Sequence, residues 1–153
     1  AADQAKVRAM DGLPHLDAEG RVAFRVFDFG AVGDGETDDG AAIRAAVAAA
    51  IQSGPDSVVL FDEVPYRMLR YSGARAHIML EGVQGLTLEG NGATIIGTPY
   101  NGFLSVNKCE RITMRGFIFD SDPLSFTQCD IVKADPATGE LWLKLHPGYT
   151  NPI

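Results

Sequence analysis

Apolar and polar residues alternate along "VAFRVFDF" (22–29), the pattern of a half-buried strand. In the following "TDDGAAIRAAVAAAIQSGP", Ile43, Val47 and Ile51 recur every fourth residue and mark one apolar stripe of a helix. Thr37 or Asp38 can cap its start, with acidic residues in the first turn where the helix dipole favours them. Gly54 and Pro55 supply the stop. "SVVLF" (57–61) is a β-branched run and predicts a buried strand.

From His77 onward, short apolar triplets alternate with Gly or Asn. "IMLEGVQGLTLEG" (78–90) superposes on "LSVNKCERITMRG" (104–116) at a constant offset of 26 residues. Ile78 falls on Leu104, Leu80 on Val106, Leu86 on Ile112 and Leu88 on Met114. A fixed period made of triplet strands and turns marks a solenoid. The helix and Asn/Cys ladder of leucine-rich repeats are missing, so a parallel β-helix is the better expectation. Leu80, Val83, Leu86, Leu88, Val106, Ile112 and Met114 should then point inward, and the alanine-rich helix should close the open end of the first coil. After Gln128 the rhythm breaks. "DIVKADPATGELWLKL" predicts a hairpin, with strands over 131–134 and 141–145 around a Pro136/Gly139 turn. The expected organisation is an N-terminal arm (1–21), a cap with the first rungs (22–128), and the start of a β-rich insertion (129–153).

Charge narrows the function. Thirteen Lys+Arg against 20 Asp+Glu give a net charge of −7, with no basic stripe for a nucleic acid or an anionic membrane. No apolar run approaches the roughly 18–20 residues of a membrane span. Cys109 and Cys129 are too few for a disulfide framework and too far apart for a CxxC site, so free thiols are expected.

The acidic stretch "FDFGAVGDGETDDG" invites sharper readings, which the residues refuse. Asp34, Glu36 and Asp38 could open an EF-hand loop, but the required Gly is Asp39 and the closing Glu is Ala45. Gly30, Gly33 and Gly35 give GxxGxG, neither a dinucleotide fingerprint nor a Walker loop, and the carboxylates would repel phosphate. Neither a metal nor a cofactor is expected. The stretch from Asp28 to Ala46 resembles the D-F-G-A-x-G-D-G-x-T-D-D signature of the pectate-lyase-like superfamily. This chain departs from that signature at Gly40, where Thr is usual, and at "FDEVPYRM", where a Pro-x-Gly-x-Tyr turn normally follows the strand. The resemblance implies an all-β, right-handed parallel β-helix with an N-terminal capping helix and the start of a hairpin insertion. It also implies that the signature is a cap and not a catalytic centre. Asp34, Asp38 and Asp39 are accordingly expected to bond backbone amides.

Chemistry is expected instead in "GFIFDSDPLSFTQCD" (116–130). Asp120 and Asp122 stand two apart, so on a strand both carboxylates face one side, about 6.5–7 Å apart, near the spacing of an inverting glycosidase pair. Asp122 and Gln128 are candidate sugar contacts, and Tyr100, Phe103, Phe126 or Trp142 could stack on sugar faces or pack internally. "DPLSFTQ" before a β-insertion is similar to exo-acting β-helix glycosidases, including α-1,3-galactosidases. The resemblance implies a secreted or periplasmic glycoside hydrolase, with this chain as its N-terminal part and much of the active site in the remainder. Lyases of this group use calcium or a basic residue against uronates, which the residues here do not offer. A polysaccharide lyase and a non-catalytic glycan-binding or tailspike module remain the alternatives.

Overall fold

The computed structural model describes residues 15–69, 71, 73–99 and 101–149. Most of the expected N-terminal arm (1–14) lies outside the described residues. The elements in chain order are β1 (His15–Leu16), β2 (Val22–Arg25), a 3-10 turn (Val26–Phe29), α1 (Gly40–Ser53), β3 (Ser57–Leu60) and β4 (Pro65–Met68). There follow β5 (Ala76–Glu81), β6 (Gln84–Gly97), β7 (Gly102–Asn107), β8 (Glu110–Ser121), β9 (Cys129–Asp135) and β10 (Glu140–Leu145).

The long strand β6 organises the molecule. Its first half pairs in parallel with β3, its second half with β4, and β8 runs along its other edge. β2 extends the sheet beyond β3 in parallel, and β1 adds to β2 antiparallel. β5 and β7 form a separate parallel pair, and β9 and β10 an antiparallel one.

The 26-residue offset is present as strand register. Ile78 lies opposite Leu104, and Leu86 opposite Ile112. It does not hold throughout. A bulge between Glu89 and Ala93 changes the β6–β8 separation, so that Ala93 lies opposite Phe117. The chains approach closely there, and a Cβ on Gly90 would collide with the Gly116 carbonyl oxygen.

The expected right-handed parallel β-helix is corrected by this topology. The described strands form three separate sheets, one of them mixed and one a lone antiparallel hairpin, and they do not close into a solenoid. The physical reason is that a repeat period fixes which residues of neighbouring strands face each other. It does not fix whether successive sheets join. What stands is a strand-rich chain with one α-helix among the described residues.

Of the residues expected inward, Leu80, Leu86 and Leu88 are buried, while Val83 and Ile112 are partly covered. Val106 and Met114 are 49% and 42% exposed, because β7 and β8 are edge strands paired on one side only. Alternation selects a face, and a further layer is needed to bury it.

The core lies between α1 and the sheet. Ile43, Ala46, Val47 and Ala50 present one face of α1 to Phe24, Val26 and Val59, and the cluster continues through Phe61, Tyr66 and Leu88. The Phe61 and Tyr66 rings meet edge to face at 5.4 Å. The helix starts one or two residues later than expected, with Asp39 at the N-cap position in place of Thr37 or Asp38 and no acidic side chain in the first turn. The strand expected over 22–29 ends at Arg25, where the chain tightens into the 3-10 turn closed by left-handed Gly30. No described helix is long and apolar enough to cross a membrane.

Candidate functional site

The ends of β6 and β8 and the starts of β5 and β7 surround a cleft of about 230 Å³. His77 comes from β5, Thr98 from the residue after β6, Phe103 from β7, and Phe119, Asp120 and Ser121 from β8; Ser125 closes one side. Backbone pairing sets these positions. The Asp122 amide donates to the Gly97 carbonyl at 3.0 Å, tying the end of β8 to the end of β6. Asn101 braces the rim by accepting from the Tyr71 amide at 2.9 Å and donating to the Tyr71 and Ala74 carbonyls.

The cleft concentrates unsatisfied polarity. Among the described residues, the buried side-chain atoms without a hydrogen-bond partner are Asp62 Oδ2, both ring nitrogens of His77, and Thr98 Oγ1. Three of these four belong to residues lining this cleft. An unmet buried donor or acceptor costs about 1–3 kcal/mol, so a ligand that supplies the missing bonds is favoured.

His77 is 2% exposed. Burial, reinforced by the Arg44 guanidinium and opposed by the Asp38 carboxylate, holds its pKa below the ordinary 6.5. The imidazole is thus neutral in the folded state near pH 7, with one donor and one acceptor nitrogen. The unfolded chain takes up a proton at this ring near pH 6.5, while the folded chain does so only at lower pH. His77 therefore contributes stability that is complete above 6.5 and declines as the pH falls below it. Melting temperature should drop on acidification through this range, and His77→Leu should flatten that part of the profile. An unchanged profile in His77→Leu would show that the ring is not held neutral by burial.

Asp120 and Asp122 have different partners. Asp120 lines the cleft; one carboxylate oxygen accepts from the Ser121 amide at 2.7 Å, and the other has no protein partner among the described residues. Asp122 accepts instead from Arg67 Nη2 at 2.8 Å, and Arg67 Nε donates to the Gly35 carbonyl at 2.7 Å. Asp122 thus joins β8 to β4 and the acidic loop. Phe103 packs with Phe119 at 5.2 Å between ring centroids, and Phe119 remains half exposed. Gln128 is exposed and outside the cleft, its carbonyl accepting from the His146 amide. Phe126 stacks near Tyr149, and Lys133 covers the Trp142 ring. Tyr100 lies outside the described residues.

The acidic stretch is built as a bracket. Asp34 accepts from the Glu36 and Thr37 amides and the Thr37 hydroxyl, bonds that lower its carboxyl pKa. Asp38 Oδ1 accepts from the Gly40 and Leu69 amides. Buried Asp39 accepts from the Val32 and Gly33 amides at 2.6 and 3.2 Å. Gly33 is left-handed (φ +68°), and a Cβ there would press against Val64. Among the described residues no group of three or more His, Cys, Asp or Glu side chains could hold a metal ion.

His77, Thr98 and Arg67 were missed in the sequence. The visible signal was a histidine inside the apolar run "AHIML"; nothing local marked Thr98 or Arg67. Comparison with protein-family models and with curated proteins finds no match to this chain.

Proposed function

We propose that the cleft binds a neutral carbohydrate and that the protein acts as a glycoside hydrolase on an oligosaccharide or polysaccharide. The observation that carries this reading is the convergence of the half-exposed Phe119 ring, the Asp120 carboxylate, the Ser121 and Ser125 hydroxyls and the unpartnered His77. A sugar offers an apolar C–H face for a ring and hydroxyls that both donate and accept, which is the complement of such a lining. The net charge of −7 works against polyanionic substrates. The resemblance of the acidic signature to that of the pectate-lyase-like superfamily supports a carbohydrate substrate, though not its charge. In hydrolysis, Asp120 in its protonated form would give its proton to the glycosidic oxygen as the bond to the anomeric carbon breaks, and neutral His77 would accept a proton from the water whose oxygen adds to that carbon.

A second reading, glycan binding without turnover, draws support from Asp122. Its bond to Arg67 leaves Asp120 as the one carboxylate lining the cleft among the described residues. Calorimetric titration and release of reducing ends, both with neutral oligosaccharides, separate the two. Phe119→Ala is expected to weaken binding about tenfold, the loss of one ring contact. Asp120→Asn is expected to lower kcat at least about a hundredfold with unchanged melting. Saturable binding without any hydrolysis selects the second reading, and absence of saturable binding contradicts both.

A further inference from the structure

His77 also lines a second cleft, of about 250 Å³, between α1 and β5. Val47, Ile51, Ile78 and Met79 give it apolar walls, and Arg44 and Tyr71 give it a charged and aromatic side. Arg44 is half-buried, and its guanidinium carbon lies 4.2 Å from the centroid of the Tyr71 ring. It has no ion-pair partner among the described residues. The backbone that carries the ring is held by Asn101, which bonds both the amide and the carbonyl of Tyr71. A guanidinium over a ring retains N–H groups in the fork that matches a carboxylate.

We propose that this cleft binds a small carboxylate carrying an aromatic or short aliphatic body. Arg44 supplies the two-pronged contact, the His77 N–H supplies a further donor, and the four apolar side chains cover the body of the ligand. Phosphate suits the cleft less well. Among the described residues Arg44 is the one cation lining the cleft, and the Asp38 carboxylate lies near enough to act on His77, so added negative charge is opposed. The inference depends on neither sugar binding nor turnover at the neighbouring cleft.

Benzoate and its neutral isostere benzamide are suitable probes, titrated into isotopically labelled protein at constant ionic strength. Benzoate is expected to bind at least tenfold more tightly than benzamide, with shifts centred on Arg44, Tyr71 and residues 77–79. Because His77 is buried and its replacement can disturb folding, the deciding variant is Arg44→Gln. It should weaken benzoate at least tenfold, leave benzamide unchanged, and melt like the parent. Equal affinity for the two probes, no saturable binding of benzoate, or undiminished benzoate binding by Arg44→Gln would each overturn the proposal.

Discussion

Ala46→Asp is expected to remove about 4 kcal/mol of stability, enough to unfold a marginal domain at moderate temperature. Ala46 is fully buried on α1, in one cluster with Ile43, Ala50, Phe24 and Val59. A methyl group is all that the helix–sheet contact accommodates there. An aspartate must either carry its charge into the core, take up a proton, or push α1 away from β2 and β3. The neighbouring Ala45 faces solvent. Ala45→Asp is therefore the matched control, expected to change stability by no more than about 0.5 kcal/mol. Chemical denaturation of the two variants measures the difference. Equal midpoints would mean that α1 does not dock through this face.

The second large effect is expected at Asp39. Asp39 is 1% exposed, and its side chain does not cap the helix that begins beside it. It reaches back to the Val32 and Gly33 amides, while its own amide donates to the Arg67 carbonyl at 2.8 Å. One residue thus fixes the glycine loop, the helix start and β4 together. Asp39→Ala removes two charge-assisted acceptors and is expected to cost about 3 kcal/mol. Asp39→Asn keeps one acceptor oxygen and should cost less. Glu36→Ala, at an exposed position, should cost little. If Asp39→Ala unfolds at the same denaturant concentration as Glu36→Ala, the acidic stretch is not the bracket described here.

The local elements were legible where a short-range rule governs them. The helix stripe through Ile43 and Val47, the strand expected over 57–61 and found over 57–60, and the hairpin around Gly139 follow from spacing and turn residues alone, whereas Ile51, the third member of the stripe, is 38% exposed. The 26-residue offset foretold the neighbours of Ile78 and Leu86, because parallel pairing preserves register. The architecture was not legible in the same way. Whether sheets join depends on bends such as that at Gly90–Gly92, and on layers over Val106 and Met114 that periodicity does not specify. The structural role of the acidic stretch could be argued from failed ligand patterns; Asp39 occupies the N-cap position without a side-chain cap bond, and it is the Asp38 carboxylate that accepts from the Gly40 amide. Asp120 was visible as a carboxylate before a turn. Its separation from Asp122 was not, because Arg67 lies 55 positions away and claims Asp122 through a long-range ion pair. His77 escaped notice for a related reason. A histidine in an apolar strand is ordinary, and only the surrounding fold reveals that both its nitrogens are left without partners.

The central claim is that the cleft at His77 and Asp120 receives a sugar. The most direct measurement follows the His77 ring nitrogens by nuclear magnetic resonance while neutral galactose oligosaccharides are added. Saturable shifts of those nitrogens, accompanied by shifts at Thr98, Phe119, Asp120 and Ser121, are the expected result. Ring nitrogens that stay unmoved at saturating sugar, or shifts confined to the β9–β10 hairpin around Trp142, would contradict it.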